Sequence, residues 1–506
     1  MIPSTASKST AADKTPPKRE LKLDAPADFS LARLPEQLDG YVAAAPCLRR
    51  LHTVYYDTRD QRLSRWGCSL RYRVGEGWTL KLAVSNGGSG LARVEHTFPG
   101  DRQTVPAAAL DLATPYLRGA RVTHVAELRT VRTSRDVRDA NGEALAQIVE
   151  DDVRVVSGTR VNDRFRQVEL ELADGAENSA LDALAATLRK RGAGRPNPIP
   201  KDVRALGRDP DDLAIPRPEV DRGASILDVA KASLSHAVKR IVRNDAAIRL
   251  EHNTEAVHKA RTSVRRLRSV LRTFEPAFET AYARALGERL RWLGDAFGEA
   301  RDADVLLARI DRDAHALSSD NEKWTSEATK VFRLAREAAY DRLVHAMRQP
   351  RYLELLDDLT VAAERPPRGE SAHESACDIG PSLLDGAWRR MRKRVRKRSR
   401  PPTDAELHRI RIKAKYVRYA AEALVSVLGP RATSLAKVVE RLQTVLGDQH
   451  DATIAASRLA QTDGDGRSEF VAGELAQRER DAAEAGRLAW HKAWRTVKRR
   501  REALRS

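Results

Sequence analysis

Histidine and basic side chains recur at one fixed spacing in two distant segments of the sequence. The stretch AELHRIRIKAKYVRYAAEAL, residues 405–424, has a histidine followed by cations three, seven and ten positions later, and EAVHKARTSVRRLRSVLRTF, residues 255–274, repeats the pattern. On a helix these positions fall within an arc of about 80°. Each segment therefore predicts a helix with one cationic stripe, formed by His258, Arg261, Arg265 and Arg268 in the first and by His408, Arg411, Lys415 and Arg418 in the second.

The chemistry that suits these stripes is phosphate binding. Arginine binds phosphate oxygens in bidentate fashion, lysine acts as a point charge, and histidine gains proton affinity beside phosphate. A single basic helix more often simply faces water. Here, however, no acidic residue lies between His258 and Arg272, and like charges at i,i+4 repel each other. The repetition and the repulsion together favour an anionic ligand.

The two stripes belong to a region that looks duplicated. From Ala224 onward, apolar residues recur at helical intervals, and a Pro/Gly-marked break, ERPPRGESAHESACDIGP, divides the region. SILDVAKASLSHAVKR before the break matches SLLDGAWRRMRKRVRKR after it, and LRWLGDAFGEARDADV matches LQTVLGDQHDATI. We therefore predict two helical repeats, about 224–363 and 382–503, packed around a pseudo-twofold axis.

A second set of charges lies in the first two hundred residues, where short alternating segments predict antiparallel strands. Arg71 with Arg73, and Glu169 with Glu171, stand two positions apart, which places each pair on one face of its strand. For one strand this face is ordinarily the solvent side. Acids and bases on many strands instead favour a barrel with a charged interior. Its cations would bind phosphates, and its carboxylates suit Mg²⁺ or Mn²⁺.

The bulk composition narrows the class of partner. The 506 residues carry a formal net charge of +19, which favours a polyanionic partner. The three cysteines show no pairing that would indicate a disulfide framework or a thiolate zinc site, which fits a reducing cytoplasm. We find no apolar run long enough for a signal peptide or a membrane span. We also predict a disordered tail at 1–17 and a linker at 209–223.

The duplicated helical region resembles the CHAD domain, the conserved histidine α-helical domain. The resemblance rests on VHKARTSVRRLRSVL with LGDAFGEARDADV, and on LHRIRIKAKYVRYAAEAL with LGDQHDA, in the same order in both halves. It implies inorganic polyphosphate as the partner, bound in a basic groove between the halves. The eight stripe residues named above would then be the phosphate contacts.

The strand region, residues 18–208, resembles the CYTH or triphosphate tunnel superfamily. The resemblance rests on the order of KRELK, YYDT, LRYR, TLK, RVE, EDDV, VELEL and PKDVRAL. It implies a tunnel in which triphosphate is held by Lys22, Arg71, Arg73, Lys81, Arg93, Arg132 and Lys201. It also implies Mg²⁺ or Mn²⁺ as cofactor, with Glu20, Glu95, Asp151, Glu169 and Glu171 as metal ligands and Glu20, Glu169 and Glu171 as catalytic residues.

Two positions depart from the tunnel pattern. Lys18 stands where the first glutamate of the ExExK signature is expected, and Gln147 stands where a carboxylate is common. Lost carboxylates weaken metal affinity, so these departures predict a tunnel that binds triphosphate with weak or absent turnover.

The sequence therefore predicts a two-domain α+β protein: an N-terminal antiparallel β tunnel or barrel at 18–208 and a C-terminal all-α duplicated bundle at 224–503. The predicted function is polyphosphate binding by the helices, together with a tunnel that binds a triphosphate-containing small molecule; metal-dependent hydrolysis in this tunnel is left open. The alternatives are triphosphatase activity as the main role, or nucleic-acid binding. The first stripe lacks the aromatic residues on which bases stack, which argues against nucleic acid. The expected location is the cytoplasm, with association with polyphosphate granules left open.

Overall fold

The computed structural model describes residues 13–15, 20–83, 93–139, 141–215, 218–317, 322–462 and 466–502. They form two compact units, Met1–Ala214 and Ile215–Ser506. The boundary lies within the segment 209–223 that we predicted as a linker. Most of the predicted N-terminal tail, and Lys18 with it, lies outside the described residues.

The first unit is built on one antiparallel sheet, as the alternating segments predicted. The described residues contribute eleven strands to it. They are β1 Asp13–Thr15, β2 Glu20–Asp24, β3 Gln37–Leu38, β4 Tyr41–Ala43, β5 Cys47–Thr58, β6 Ser69–Arg73, β7 Gly77–Ala83, β8 Arg93–Phe98, β9 Val122–Arg138, β10 Ala144–Ser157 and β11 Arg160–Leu172. Helices α1 Arg62–Arg65, α2 Ala107–Leu117, α3 Asn178–Lys190 and α4 Lys201–Ala205 complete the unit.

The strand order makes the sheet curl. Hydrogen-bonded neighbours run β1, β8, β7, β6, β5, β9, β10, β11, β2, and the short pair β3–β4 attaches to β9. The strands at the two edges, β1 and β2, follow one another in the chain. Five residue steps from Thr15 to Glu20 span at most about 18 Å, so the two edges must approach each other. The curled antiparallel sheet confirms the predicted fold class of this region.

Side-chain alternation gives the sheet an apolar face and a charged face. On β11, Val168 and Leu170 are fully buried and join a core that includes Leu23 of β2 and Leu184 and Leu188 of α3. Successive side chains on a strand point to opposite faces. Glu169 and Glu171 therefore point away from this core, toward the concave side of the sheet.

The turn after β5 is held by one buried carboxylate. Asp57 is only 3% exposed. Its oxygens accept hydrogen bonds from the backbone N–H groups of Thr58 at 2.7 Å, Leu63 at 2.9 Å and Ser64 at 2.9 Å. These bonds satisfy the amide groups at the start of α1 and fix the loop between β5 and β6.

The second unit is helical, as predicted. Its helices are α5 Ile226–Glu251, α6 Thr254–Thr273, α7 Thr280–Ala314, α8 Glu322–Met347, α9 Pro350–Glu364, α10 Ala376–Arg396, α11 Asp404–Ala423, α12 Val425–Leu428, α13 Pro430–Leu459 and α14 Gly466–Glu502. Among the described residues, no helix combines the length and apolar character needed to cross a membrane.

The two halves of this unit meet symmetrically. Helices α5, α6, α7 and α8 contact α10, α11, α13 and α14 respectively, so each helix touches its sequence counterpart. Where α5 and α10 begin, the N–H of Ile226 donates to the carbonyl of Glu374 at 3.0 Å, and the N–H of Ala376 donates to the carbonyl of Ala224 at 3.0 Å. This reciprocal pair of bonds is what a pseudo-twofold axis between the repeats produces.

The Asp57 turn generates a stability prediction. Replacing Asp57 by alanine leaves three amide donors without their acceptor, which should destabilise the first unit by about 3 kcal/mol. Hydrogen–deuterium exchange of β5 and β6 amides, measured on the full chain, should accelerate. Asp60→Ala removes an exposed carboxylate from the same loop and should change stability by less than about 0.5 kcal/mol. Equal protection in both variants would contradict this role of Asp57.

Candidate functional site

A cavity of about 270 Å³ lies on the charged side of the sheet in the first unit. Every cation predicted for the tunnel lines it: Lys22, Arg71, Arg73, Lys81, Arg93, Arg132 and Lys201. So do four of the five predicted metal-binding carboxylates, Glu20, Glu95, Glu169 and Glu171. The structure therefore brings together residues from β2, β6, β7, β8, β9, β11 and α4, which are far apart in sequence.

The fifth carboxylate, Asp151, lies beneath the cavity and is fully buried. Arg132 binds it in bidentate geometry, with Nε–Oδ1 and Nη2–Oδ2 both 2.8 Å, and Lys201 donates to the same Oδ2. Burial opposes the ionisation of Asp151, but Lys201 and Arg132 outweigh it and lower its pKa. An ionised Asp151 thus fixes the positions of two cavity cations.

Glu169, on the neighbouring strand β11, has a similar role. Its carboxylate accepts from Lys201 Nζ at 3.0 Å and from Gln167 Nε2 at 2.9 Å, and lies 3.7 Å from Lys22 Nζ. Burial opposes its ionisation, yet Lys201, Lys22 and Arg132 lower the pKa of Glu169. This carboxylate is surrounded by cations of the chain itself.

The opposite wall carries two arginines with buried nitrogens that have no hydrogen-bond partner among the described residues. These nitrogens are Nε of Arg71, and Nε and Nη2 of Arg93. Burial and the nearby Arg71 together lower the pKa of Lys81 to about 8, although Lys81 also contacts Glu95 at 2.5 Å. A buried guanidinium nitrogen without an acceptor costs free energy. This wall is therefore organised for an anion that supplies acceptor oxygens.

Two carboxylates at the other wall fit a divalent cation. Glu20 and Glu171 stand directly opposite each other in the β2–β11 ladder, and both line the cavity. In the part of the chain that the structure describes, no three His, Cys, Asp or Glu side chains are grouped to hold a metal by themselves. Mg²⁺, however, commonly uses one or two carboxylates and takes its other ligands from water and phosphate. The pair fits that mode of binding.

Of the two departures from the tunnel pattern, one is described. Gln147 on β10 is the ladder partner of Glu171 and lines the cavity, and its Nε2 donates to Asp136 Oδ1 at 2.7 Å. The amide thus stands beside the carboxylate pair without adding negative charge. The assignments of all five carboxylates as metal ligands, Glu20, Glu95, Asp151, Glu169 and Glu171, stay predictions.

In the second unit, the two cationic stripes lie side by side because α6 contacts α11. Lys415 shows how closely the charges approach. Burial, followed by Arg411, Arg265 and Arg261, lowers the pKa of Lys415 to about 6, against which Asp451 acts weakly. Guanidinium groups of both helices therefore crowd one ammonium group. We call the eight residues on these two helices the paired stripes.

Equivalent arginines in the two halves pack against equivalent glycines. Arg261 donates to the carbonyl of Gly298 at 3.0 Å, while a Cβ on Gly447 would lie 3.2 Å from Nη2 of Arg411. One helical turn later, Asp302 pairs with Arg261, and Asp451 lies 3.9 Å from Arg411. In each half, the glycine leaves room for the guanidinium group of the arginine, and the aspartate lies at ion-pair distance from that group.

The members of the paired stripes differ in how fully they are neutralised. Among the described residues, Nε of Arg265, Arg411 and Arg418 and Nδ1 of His408 are buried without a hydrogen-bond partner. Arg418 nevertheless lies at ion-pair distance from two carboxylates, Glu422 at 3.0 Å and Glu440 at 2.9 Å. The positive charge that remains available is therefore concentrated at Arg265 and Arg411.

Each stripe histidine has a neighbour that the sequence patterns missed. The rings of His408 and His450 lie 4.0 Å apart; burial, then His450 and Arg411, lower the pKa of His408 to about 4. Burial and Arg301 lower the pKa of His258. Arg301 lies three residues after Gly298, and His450 lies three residues after Gly447. This shared position is the sequence signal that could have identified both residues.

Comparison with known proteins identifies both units. A CYTH domain model matches residues 17–203, and a CHAD domain model matches residues 232–460. The "Uncharacterized protein Rv2226" of Mycobacterium tuberculosis strain H37Rv is 30% identical over 92% of this chain and 94% of its own length. The chain belongs to the CYTH–CHAD family. The "Uncharacterized protein MT2285" of M. tuberculosis strain CDC 1551 matches to the same extent.

Solved structures overlap parts of the CYTH–CHAD chain. "PptA from Streptomyces chartreusis" is 23% identical and covers 54% of this chain and 100% of its own, with a TM-score of 0.45. The "CHAD domain from the plant Ricinus communis" is 26% identical and covers 57% and 96%, with a TM-score of 0.40. "Putative adenylyl cyclase HpAC1 from Hippeastrum" is 16% identical and covers 38% and 97%, with a TM-score of 0.22. The assignment to the family rests on the two domain models and the two relatives. CYTH domain proteins include triphosphatases and cyclases.

Proposed function

We propose that this protein binds inorganic polyphosphate along the paired stripes of its CHAD domain. The observation that carries the proposal is the environment of Lys415, whose pKa of about 6 results from burial beside Arg411, Arg265 and Arg261. Cations of the same sign repel one another at short range. An anion with many closely spaced charges relieves that repulsion along the whole stripe, whereas a small anion relieves it at one point.

We further propose that the tunnel of the CYTH domain binds a triphosphate chain and hydrolyses it slowly. Arg71 and Arg93, whose buried nitrogens lack acceptors within the described residues, would bind the phosphate oxygens. On the facing wall, Asp151 and Glu169 would hold Arg132 and Lys201 in place and so provide further positive charge. Such positioned cations stabilise the charge that develops as a phosphoryl group is transferred.

The carboxylates would supply the metal side of the tunnel. Glu20 and Glu171 would hold Mg²⁺ or Mn²⁺ together with phosphate oxygens, and this ion would neutralise phosphate charge and acidify a nearby water. Glu169 would act mainly by positioning Lys22, Arg132 and Lys201. Because two carboxylates fill only part of the coordination shell of the ion, we expect the protein to bind the metal more tightly when triphosphate is also bound.

A double substitution tests polyphosphate binding. Arg265→Gln/Arg411→Gln removes two charges at the centre of the paired stripes, and it should weaken binding and lower the slope of log affinity against log salt by about 1.4. Titration of the full chain with polyphosphate at several salt concentrations provides both quantities. Arg342→Gln/Arg480→Gln removes the same charge from exposed positions on α8 and α14 and serves as the control. Equal losses in the two variants would refute a dedicated site.

Proton uptake provides an independent test. Free Lys415 is mostly neutral above its pKa of about 6, and a bound polyanion raises that pKa, so the complex holds more protons than the free protein. Affinity should therefore increase as pH falls from about 8 to 6, by up to about tenfold per pH unit for one proton. Calorimetry in buffers of different ionisation enthalpy measures this uptake.

The substitution Lys415→Arg keeps a positive charge at this position but removes the titration of the side chain. Arginine stays protonated throughout this pH range, so the variant should bind polyphosphate at pH 8 at least as well as wild type, with less proton uptake. The remainder of the uptake would come from His258 and His408. Unchanged uptake in Lys415→Arg would contradict the proposed role of the ammonium group.

Phosphate release from tripolyphosphate tests the tunnel. Wild type should release phosphate only with Mg²⁺ or Mn²⁺. Arg93→Gln should raise KM about tenfold or more, since a charge-assisted hydrogen bond is lost, and Glu171→Gln should raise the metal concentration needed. Arg164→Gln is the control, because Arg164 is exposed and pairs with Asp152. Metal-independent release, or no release by wild type, would refute hydrolysis in the tunnel.

A further inference from the structure

A second concentration of positive charge lies outside the paired stripes. Residues 389–400 contain nine Arg or Lys residues and no Asp or Glu; we call them the outer segment. It comprises the last two turns of α10 and the residues that follow. Met391 and Val395 are buried, and the exposed side chains include Arg389, Arg390, Arg392, Lys393, Arg396, Lys397 and Arg400.

The packing of α10 leaves these cations without acidic partners among the described residues. The opposite side of α10 packs on α14, where the rings of Trp388 and Trp494 stack at 5.4 Å and Arg501 pairs with Asp385. Within the described residues, no carboxylate lies at ion-pair distance from Arg390, Arg394 or Lys397. Like charges at i,i+4 destabilise a helix, and a bound anion would remove that destabilisation.

Helix α10 packs against α11, and Lys413 of α11 connects the outer segment to the paired stripes. Burial, then Arg272, Arg390 and Arg394, lower the pKa of Lys413. Charges of α6 and α10 thus act on the same ammonium group. The ring of Tyr416 lies 4.8 Å from the guanidinium of Arg272 and 5.8 Å from Nζ of Lys413, so both cations contact one aromatic side chain.

The connection also reaches the end of the first stripe. A cavity of about 230 Å³ is lined by Arg268, Arg272, Arg284, Arg291 and Tyr416, together with two glutamates. Arg268 is the last residue of that stripe. Cations therefore follow one another from Arg268, through this cavity and Lys413, to the exposed face of α10.

We propose that a long polyphosphate chain leaves the paired stripes at Arg268, passes Tyr416 and Lys413, and continues along Arg390, Arg394 and Lys397. The inference rests on the proposed polyphosphate-binding function and extends it to a chain-length preference. The path passes from α6 and α11 to α10, so a bound polymer must bend. A flexible chain bends more easily than a rigid duplex. The outer segment contains no aromatic residue on which unpaired bases could stack.

The test compares chain lengths. Arg390→Gln/Arg394→Gln/Lys397→Gln is examined in the full chain with polyphosphates of increasing length; glutamine retains helix propensity. Short chains should bind the variant as they bind wild type. With longer chains, wild-type affinity should keep rising after the affinity of the variant has reached a plateau. For the longest chains, the salt slope of the variant should be smaller by about 2.

A matched triple variant, Lys492→Gln/Arg495→Gln/Arg499→Gln, removes the same charge from the exposed side of α14. Its affinity for long chains should stay close to wild type. Equal losses in both triple variants would overturn the path in favour of general charge attraction. Weaker binding of duplex DNA, with polyphosphate binding unchanged at every length, would overturn it in favour of a nucleic-acid surface.

A different result is expected if the paired stripes do not bind polyphosphate at all. If Arg265→Gln/Arg411→Gln bound short chains as well as wild type, the paired stripes would not be the polyphosphate site. If that double variant lost short-chain binding while Arg390→Gln/Arg394→Gln/Lys397→Gln behaved as wild type at every length, the stripes would stand and the path along α10 would be overturned.

Discussion

Repulsion between like charges is the constraint on which both domains depend, because each must hold several cations close together before any ligand arrives. The chain meets that constraint with scaffolds that fold around apolar cores on the far side of the charges. In the sheet, Leu23, Val168 and Leu170 pack beneath the cavity strands. In the helical unit, Val264 and Leu267 of α6 are buried. Apolar burial thus offsets the electrostatic cost of assembling each site.

The two domains restrain their cations differently. The tunnel uses carboxylates buried under the site: Asp151 holds Arg132 and Lys201, and Glu169 adds a second anchor between strands. The helical unit instead places guanidinium groups against backbone exposed by glycine, as Arg261 does at Gly298 and Arg411 does at Gly447. Among the described residues, the first arrangement leaves nitrogens of Arg71 and Arg93 without acceptors on one wall of the cavity, and the second leaves charge along a line. These shapes suit a short phosphate chain and a long one respectively.

Duplication gives the helical unit two copies of the same elements, but the copies are not equal. Arg418 is neutralised by two glutamates, whereas its counterpart Arg268 lines a cavity with three other arginines. Charge at the stripe ends is therefore asymmetric. Under the proposed function, that asymmetry would direct a bound polyanion toward the exposed cations of α10.

The sequence by itself determined which residues share a face, because alternation along a strand and the 3.6-residue period of a helix are local properties. These periods were sufficient to predict the two fold classes and to place the members of each stripe on one face, whereas the cations of the tunnel were named from the resemblance to the CYTH superfamily. The tertiary structure decided which charges are already paired. That Asp151 lies under the cavity, that the rings of His408 and His450 lie 4.0 Å apart, and that Lys413 connects α6 to α10 all follow from contacts between residues far apart in the chain. Such contacts depend on how whole elements pack, and no local pattern of residue types records them.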